Sequence, residues 1–367
     1  MSITRTVWDA IVIGGGPAGS TAARYAAEGG AEVLVIDGRD PIGSPLQCGE
    51  LVPSNDEMRR LCPDVPDIDD LLRTPEGAIS LRTTEMHLVP PSGKPLRYPF
   101  EGVVLDRVAH DEELVELARL SGVEYLVGTR VAEVESNTVT LADGSQYSAK
   151  VIIGAGGHND PLRKSHWDVE SLNIPVKFVL MDGVFENALE LHFGSVAPGG
   201  YAWVFPKQGG ANIGLGIQRR LAKGRSLNLY SKEFFSRYEG EISFHGAGSL
   251  PMSGTISRFV KGNHLLVGDA AGMVLPSNGA GITIAMIGGR IAGQVVAEHL
   301  TQGTPLEQYE ARWDAQMGKV MRNSKLAFKL GSLMFRSPDW LLNLMFNRLS
   351  KPFIWRAVTC RSLFSLR

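Results

Sequence analysis

The segment Gly14-Gly15-Gly16-Pro17-Ala18-Gly19 constrains this chain more than any other, because of what flanks it. An apolar run at 7–13 precedes it, and an alanine-rich stretch at 17–28 overlaps and follows it. Gly14, Gly16 and Gly19 fit G-x-G-x-x-G. The first glycine permits a tight turn, the second lets backbone approach a pyrophosphate, and the third lets helix pack closely on strand. The pattern predicts a strand over 7–13 and a helix over 17–28, begun by Pro17 and Ala18 and ended by Gly29-Gly30. A second strand is predicted over 32–36, closing on Asp37 and Gly38. This is a βαβ opening in which amides and dipole at the helix N-terminus hold a pyrophosphate, while Asp37 accepts from ribose hydroxyls.

At 367 residues the chain is long enough for two domains or for one large fold with an inserted sheet. Hydrophobic residues make up 44% and charged residues 21%, the balance of a soluble globular protein. The net charge of −2 gives no reason to expect a nucleic-acid partner. Cys48, Cys62 and Cys360 form no CxxC pair, so no disulfide framework and no metal site are expected, and a reducing cytoplasm suits them. No basic and apolar leader pattern opens the chain, and no run of about 18 apolar residues could span a membrane.

Residues 38–75 read as loop-rich, with Pro41, Gly43, Pro45, Gly49 and Pro53. Antiparallel strands are expected over 78–99 around a turn at 91–94, then a helix over 106–120 and short strands over 124–150. Apolar strands are expected at 151–153 and 264–267, strand-like segments throughout 172–250, and a long helix over 281–300. The order implies a discontinuous nucleotide-binding domain over 1–77, 101–171 and 251–310. A second sheet takes 78–100 and 172–250, and a basic helical region takes 311–367.

A second fingerprint follows the strand at 264–267: Gly268-Asp269-Ala-Ala-Gly272, then Pro276 and Asn278-Gly279-Ala280-Gly281-Ile282. It resembles that of FAD enzymes of the p-hydroxybenzoate hydroxylase-like class. The resemblance implies that Asp269, with Gly268, meets the ribitol, and that Gly279, Ala280, Gly281 and Ile282 bring helix amides to the flavin pyrimidine. Arg107 matches the arginine that reaches the flavin side, and Val131 belongs to the same expected cofactor set.

Two further patterns narrow the resemblance. Ile42-Gly43-Ser44-Pro45-Leu46-Gln47-Cys48-Gly49-Glu50 is one; Tyr201-Ala-Trp203-Val-Phe205-Pro206, followed after seven residues by Gly214-Leu-Gly216, is the other. Together they resemble the geranylgeranyl reductase family from residue 7 to about residue 300. The form around Cys48 is most similar to archaeal-type digeranylgeranylglycerophospholipid reductases. The implied fold class is α/β: a Rossmann-type FAD-binding domain, an inserted antiparallel β-sheet as substrate domain, and C-terminal helices. The implied activity is saturation of C=C bonds in isoprenoid chains, with hydride from reduced flavin and a proton from an acid in a dry pocket.

On this resemblance Cys48 and Gly49 lie at the flavin face, with Cys48 as the candidate proton donor; a small buried hydrophobe is the equal reading of Cys48. Tyr201, Trp203, Phe205, Pro206, Gly214 and Gly216 would bind the prenyl chain. Many relatives carry Ala-Asp-Gly where this chain has Gly154-Ala-Gly-Gly-His158-Asn-Asp160, so the reductant stays open between NADPH and a ferredoxin-like donor protein. Two alternatives share the cofactor domain: an FAD monooxygenase or halogenase, and a membrane-associated electron-transfer flavoprotein.

From Ala311 to Arg367 there are eleven Lys or Arg residues against Asp314 and Asp339. Apolar residues recur beside these basic ones at helical spacing. Such a segment suits the surface of an anionic bilayer, at about 1 kcal/mol per basic residue near the headgroups. A peripheral position on the cytoplasmic face, drawing an isoprenoid lipid from the membrane, is the expectation.

Overall fold

A computed structural model describes residues 6–170 and 172–362. The outermost positions of the ranges 1–77, 101–171 and 311–367 therefore lie outside the described residues. In chain order the strands begin with β1 (Val7–Ile13), β2 (Val33–Asp37), β3 (Leu51–Pro53), β4 (Ile79–Val89) and β5 (Leu96–Leu105). They continue with β6 (Glu124–Val127), β7 (Val131–Glu135), β8 (Thr138–Leu141), β9 (Gln146–Gly154), β10 (Asn173–Asp182) and β11 (Leu189–His192). The last are β12 (Ala202–Lys207), β13 (Gly210–Gly216), β14 (Glu241–Pro251), β15 (Val260–Lys261) and β16 (His264–Leu266). The helices are α1 (Pro17–Glu28), α2 (Asn55–Leu61), α3 (Ile68–Leu71), α4 (Arg107–Leu120) and α5 (Pro161–His166), then α6 (Leu227–Phe235), α7 (Ile282–Gln302), α8 (Gln308–Met334), α9 (Asp339–Met345) and α10 (Lys351–Val358).

The first sheet runs β15-β16-β9-β1-β2-β6, with β7 and β8 joined beside β9. Its centre is parallel: Ala10 pairs with Val33 on one side and with Val151 on the other. Ile11, Val12, Leu34, Val35, Ile152 and Ile153 are fully buried, as strands covered on both faces require. α1 and α7 lie against each other with small residues at the contact. A Cβ on Gly289 would come 2.3 Å from the Ala18 carbonyl oxygen, and one on Gly293 equally close to that of Ala22.

The second sheet runs β14-β10-β13-β12-β11-β4-β5-β3. Its pairs are antiparallel except β11 with β4, which is parallel. Aromatic rings occupy the space over glycines in this sheet. Trp203 faces Gly214 across β12 and β13, where a Cβ would come 2.2 Å from the indole; Phe178 covers Gly246 in the same way at 2.1 Å.

Three expectations are corrected. The loop-rich stretch 38–75 contains β3, α2 and α3, and β3 pairs with β5 in the second sheet. The start of α2 is set by Ser54, whose hydroxyl accepts from the Glu57 amide at 3.2 Å, a Ser-x-x-Glu cap hidden among the prolines. The strand expected to end near 99 continues to Leu105, and Asp106 then caps α4. The strand-like region 172–250 is interrupted by α6, capped by Ser226.

The α1–α7 contact gives a direct test. Gly289→Val places a branched side chain against the Ala18 backbone, and overpacking of this kind costs roughly 1–3 kcal/mol. The chemical-denaturation midpoint is expected to fall; an unchanged midpoint would mean that the two helices do not pack this closely.

Candidate active site

A cleft of about 1330 Å³ opens at the carboxyl ends of β1, β2, β9 and β16, the position where open α/β sheets bind their ligands. Gly14, Gly16, Pro17, Ala18, Asp37, Gly38, Val131, Gly268, Asp269, Gly279, Gly281 and Ile282 all line it. Cys48 and Arg107 close one side, and Gly248 to Leu250 of β14 close another. The volume exceeds the roughly 300–1,000 Å³ of ordinary small-ligand pockets, as an extended ligand needs.

The three glycines have different reasons to be glycine. Gly14 has φ +100°, and a Cβ there would meet the Ala155 carbonyl oxygen at 2.5 Å. A Cβ on Gly19 would come 1.8 Å from the Gly14 carbonyl oxygen, so helix and turn could not close. At Gly16 the nearest atom is Arg39 Nη2 at 3.7 Å. No protein group demands a bare backbone at Gly16; a phosphate against the start of α1 would. The cleft thus fits a dinucleotide on its own geometry.

Asp37 is buried and accepts from the Gly15 amide at 2.7 Å and from the Arg39 amide at 2.8 Å. The Arg39 guanidinium also pairs with it at 2.7 Å. Burial alone would raise its pKa, but the Arg39 contacts and the Gly15 amide hold the carboxyl below its usual range. Asp269 differs. Its carboxylate faces the cleft without a hydrogen bond among the described residues, and burial raises it to about 6 against the opposing pull of Arg107 and Arg163. An uncompensated acid of this kind awaits hydroxyl donors. The amides that begin α7 stand beside it, after Gly279 (φ +77°) and Ala280, whose amide donates to Asn278 Oδ1 at 2.9 Å.

Arg107 opens α4 and pairs with buried Asp111 at 2.9 Å. Burial disfavours its charge, yet Asp111 and the Cys48 sulfur beside it keep the guanidinium protonated well above its usual range. Burial would likewise raise Asp111, but Arg107 and His110 outweigh it and hold that carboxyl low. Cys48 is half-buried, and its Sγ accepts from the Glu50 amide at 3.1 Å.

The aromatic residues lie behind this edge rather than in the open cleft. A Cβ on Gly49 would meet Phe205 at 3.2 Å and Trp203 Nε1 at 3.5 Å, so Gly49 is where cleft and aromatic wall touch. Trp203 and Phe205 are buried, and the Tyr201 hydroxyl donates to the Asn278 carbonyl. Pro206 sits on β12 opposite Ala211. Gly214 makes room for the Trp203 ring, and a Cβ on Gly216 would press on Val176 at 3.0 Å. The wall is covered by the C-terminal helices: Phe193 meets Phe335 and Phe346, and Tyr98 stacks on Trp355 at 4.4 Å.

Sequence reading missed the polar core that joins these parts. Glu50 is 1% exposed with φ +69°, and its carboxylate meets Lys207 Nζ at 2.6 Å and Asn212 Nδ2 at 2.9 Å. Asn212 also donates to the Cys48 carbonyl, and its Oδ1 accepts from Trp203 Nε1 at 2.9 Å. The available signal was Asn212 itself, a lone polar side chain between Ala211 and Ile213 on an otherwise apolar strand.

Residues 172–247, most of the second sheet, match the geranylgeranyl reductase catalytic domain, and residues 12–52 match an NAD(P)-binding Rossmann-like domain. Over 347 residues the chain is 33% identical to digeranylgeranylglycerophospholipid reductase 1 of Methanococcoides burtonii, covering 86% of this chain and 82% of that one. The chain belongs to the geranylgeranyl reductase family. The homologous reductase of Methanocella arvoryzae is 31% identical, with 87% and 85% covered. Among solved structures, a geranylgeranyl bacteriochlorophyll reductase-like protein of Thermoplasma acidophilum superposes with a TM-score of 0.79 at 25% identity, covering 99% of this chain and 94% of that one. A flavin-dependent brominase at TM-score 0.69 and 18% identity, with 98% and 94% covered, shares the fold. In this chain the dinucleotide-sized cleft and the aromatic wall meet at Cys48-Gly49.

The buried Glu50 charge makes the polar core testable. Lys207→Met leaves that carboxylate without its cation, a loss of about 3–5 kcal/mol. Adding Glu50→Gln should recover more than half of it in a double-mutant cycle read by denaturation. Additive losses would mean that the two side chains do not pair.

Proposed function

We propose that this chain is an FAD-dependent reductase that saturates C=C bonds of geranylgeranyl chains, carried on membrane lipids or on geranylgeranyl diphosphate. The observation that carries the reading is the shared edge at Cys48-Gly49, with a dinucleotide-sized cleft on one side and the family's aromatic wall on the other.

Gly14, Gly16 and Gly19, with Pro17 and Ala18, would cradle the pyrophosphate, and Asp37 with Gly38 would meet the adenosine ribose. Val131 and Arg107 would flank the cofactor. Asp269 and Gly268 would take the ribitol, and residues 279–282 would turn their amides toward the pyrimidine edge. FAD held there and reduced would supply hydride chemistry at the alkene.

The second hydrogen is a proton, and the chain must deliver it. Cys48 is the group we assign: its sulfur lines the cleft, held by the Glu50 amide. Transfer of the S–H proton to the other alkene carbon leaves a thiolate facing the Arg107 cation, and solvent returns the proton afterwards. Tyr201, Trp203, Phe205 and Pro206, with Gly214 and Gly216 giving room, would exclude water from the prenyl chain. NADPH or a ferredoxin-like protein would reload the cofactor.

The substrate class also suggests where the protein works. No helix among the described residues is long and apolar enough to cross a membrane. The C-terminal helices and the turns between them instead expose Leu333, Trp340, Leu344 and Leu349, with exposed Arg336 and Arg348 in the turns. We read this face as docking on an anionic bilayer, on its cytoplasmic side.

Three outcomes test the reading. Anaerobically reduced protein given geranylgeranyl lipid, and separately geranylgeranyl diphosphate, should yield products heavier by two hydrogens per bond. Reducible flavin with neither product changed would sink it. Trp203→Ala should keep flavin and lose prenyl turnover, whereas loss of flavin would make Trp203 part of the scaffold. Because Asp269 is raised to about 6, flavin affinity should hold above that pH and fall as the pH drops through it. The ionised carboxylate is the better hydroxyl acceptor, so Asp269→Asn should flatten this dependence. A wild-type profile retained in the variant would assign the titration elsewhere.

A further inference from the structure

The face of β4 that points away from the aromatic wall carries an unassigned cluster. Met86 and Leu88 belong to the aromatic cluster, so Glu85 and His87, alternating with them, stand on the other face. Parallel pairing aligns Glu190 of β11 with His87, which brings Glu186, in the turn leading to β11, alongside. Asn187 anchors that turn by donating to the Arg82 carbonyl at 3.1 Å.

We propose that His87, Glu85 and Glu186 form a divalent transition-metal site of the zinc type. One ligand atom from each lies within 4.8 Å of the other two. The independent observation is His87: it is 2% exposed, and its Nε2 has no hydrogen-bond partner among the described residues. Glu85 Oε2 is 3.1 Å from that nitrogen but out of line for a hydrogen bond. A buried ring nitrogen left unpaired is unfavourable by about 1–3 kcal/mol, and a metal ion between it and the carboxylates removes that deficit.

Donor chemistry selects the ion. Imidazole with two carboxylates suits Zn²⁺ and neighbouring transition ions; an all-oxygen set would suit Mg²⁺ or Ca²⁺, and thiolates would suit Cu(I). Three protein ligands leave a position for water, and exposed Glu186 gives the ion its path in. The competing cation is Arg97, whose Nη1 is 4.0 Å from Glu85 Oε2 on an exposed side chain. A bound ion would tie the 183–188 turn to β4, on the back of the sheet that carries Trp203. The sequence alone predicted no metal, because glutamates with a single histidine on separate segments carry no ligand-spacing signal.

Full-length protein with its flavin, stripped with EDTA, would be titrated with ZnCl₂ against a chromophoric chelator, with MgCl₂ as control. One Zn²⁺ per chain, a raised Tm and no response to Mg²⁺ are expected. Co²⁺ should give the visible bands of a low-coordinate site. Glu186→Gln, on an exposed side chain, should fold normally, weaken Zn²⁺ binding at least tenfold and leave flavin reduction unchanged; His87→Gln should weaken it further. No stoichiometric binding would reduce the cluster to a His87–Glu85 ion pair. Equal affinity in wild type and Glu186→Gln would assign the ion to another site. Either result overturns the proposal without touching prenyl reduction.

Discussion

The ion pair between buried Glu50 and half-buried Lys207 is the interaction on which the rest of the molecule turns. It is made between a loop of the cofactor side and a strand of the second sheet, and Asn212 extends it to the Cys48 carbonyl and the Trp203 indole. Two charges taken out of water bring no certain gain in stability, but they allow little freedom of register. Glu50 must sit at a left-handed backbone position to reach Lys207, and that position aims Cys48 at the cleft. The wall and the cleft therefore cannot slide past one another without stranding a charge.

Around the cleft, acids and arginines are matched unevenly. Asp37 and Asp111 are satisfied by Arg39 and Arg107 and stay ionised. Asp160 and Asp269 are both pushed up to about 6 by burial. Asp160 is already used inside the protein, capping α5 through the Arg163 amide at 2.8 Å and holding the Gly156 amide at 2.7 Å. Asp269 is the acid left facing space. The same desolvation thus has two meanings, set by whether donors belonging to the chain reach the carboxylate.

What was legible in the sequence follows physical range. The β1–α1–β2 opening was readable because a turn that needs Gly14 and Gly19 leaves its signature in six adjacent positions. The place of Asp269 at the cleft was readable through the glycines that follow it. Ser54 and Glu57 were overlooked because nearby prolines and glycines suggested a loop, though the cap pattern was present. The pairing of Glu50 with Lys207 was not readable, since nothing at either position names a partner 157 residues away. Nor could apolar spacing in the tail say that Phe335, Phe346 and Trp355 pack on β-strands while Trp340 and Leu349 face out. Periodicity gives a face but not what covers it.

The covering of the aromatic wall by the tail bears on how the protein comes to be folded. The cluster that includes Trp203 draws on Leu46 near one end of the chain and Val358 near the other. Contacts so distant in sequence close large loops before they return any stabilisation, which slows their formation. The βαβ opening can condense from local contacts while synthesis continues. The aromatic wall cannot be covered until α8, α9 and α10 have left the ribosome. Until then Trp203, Phe205 and Phe193 are open to any greasy surface nearby, and a bilayer is one such surface.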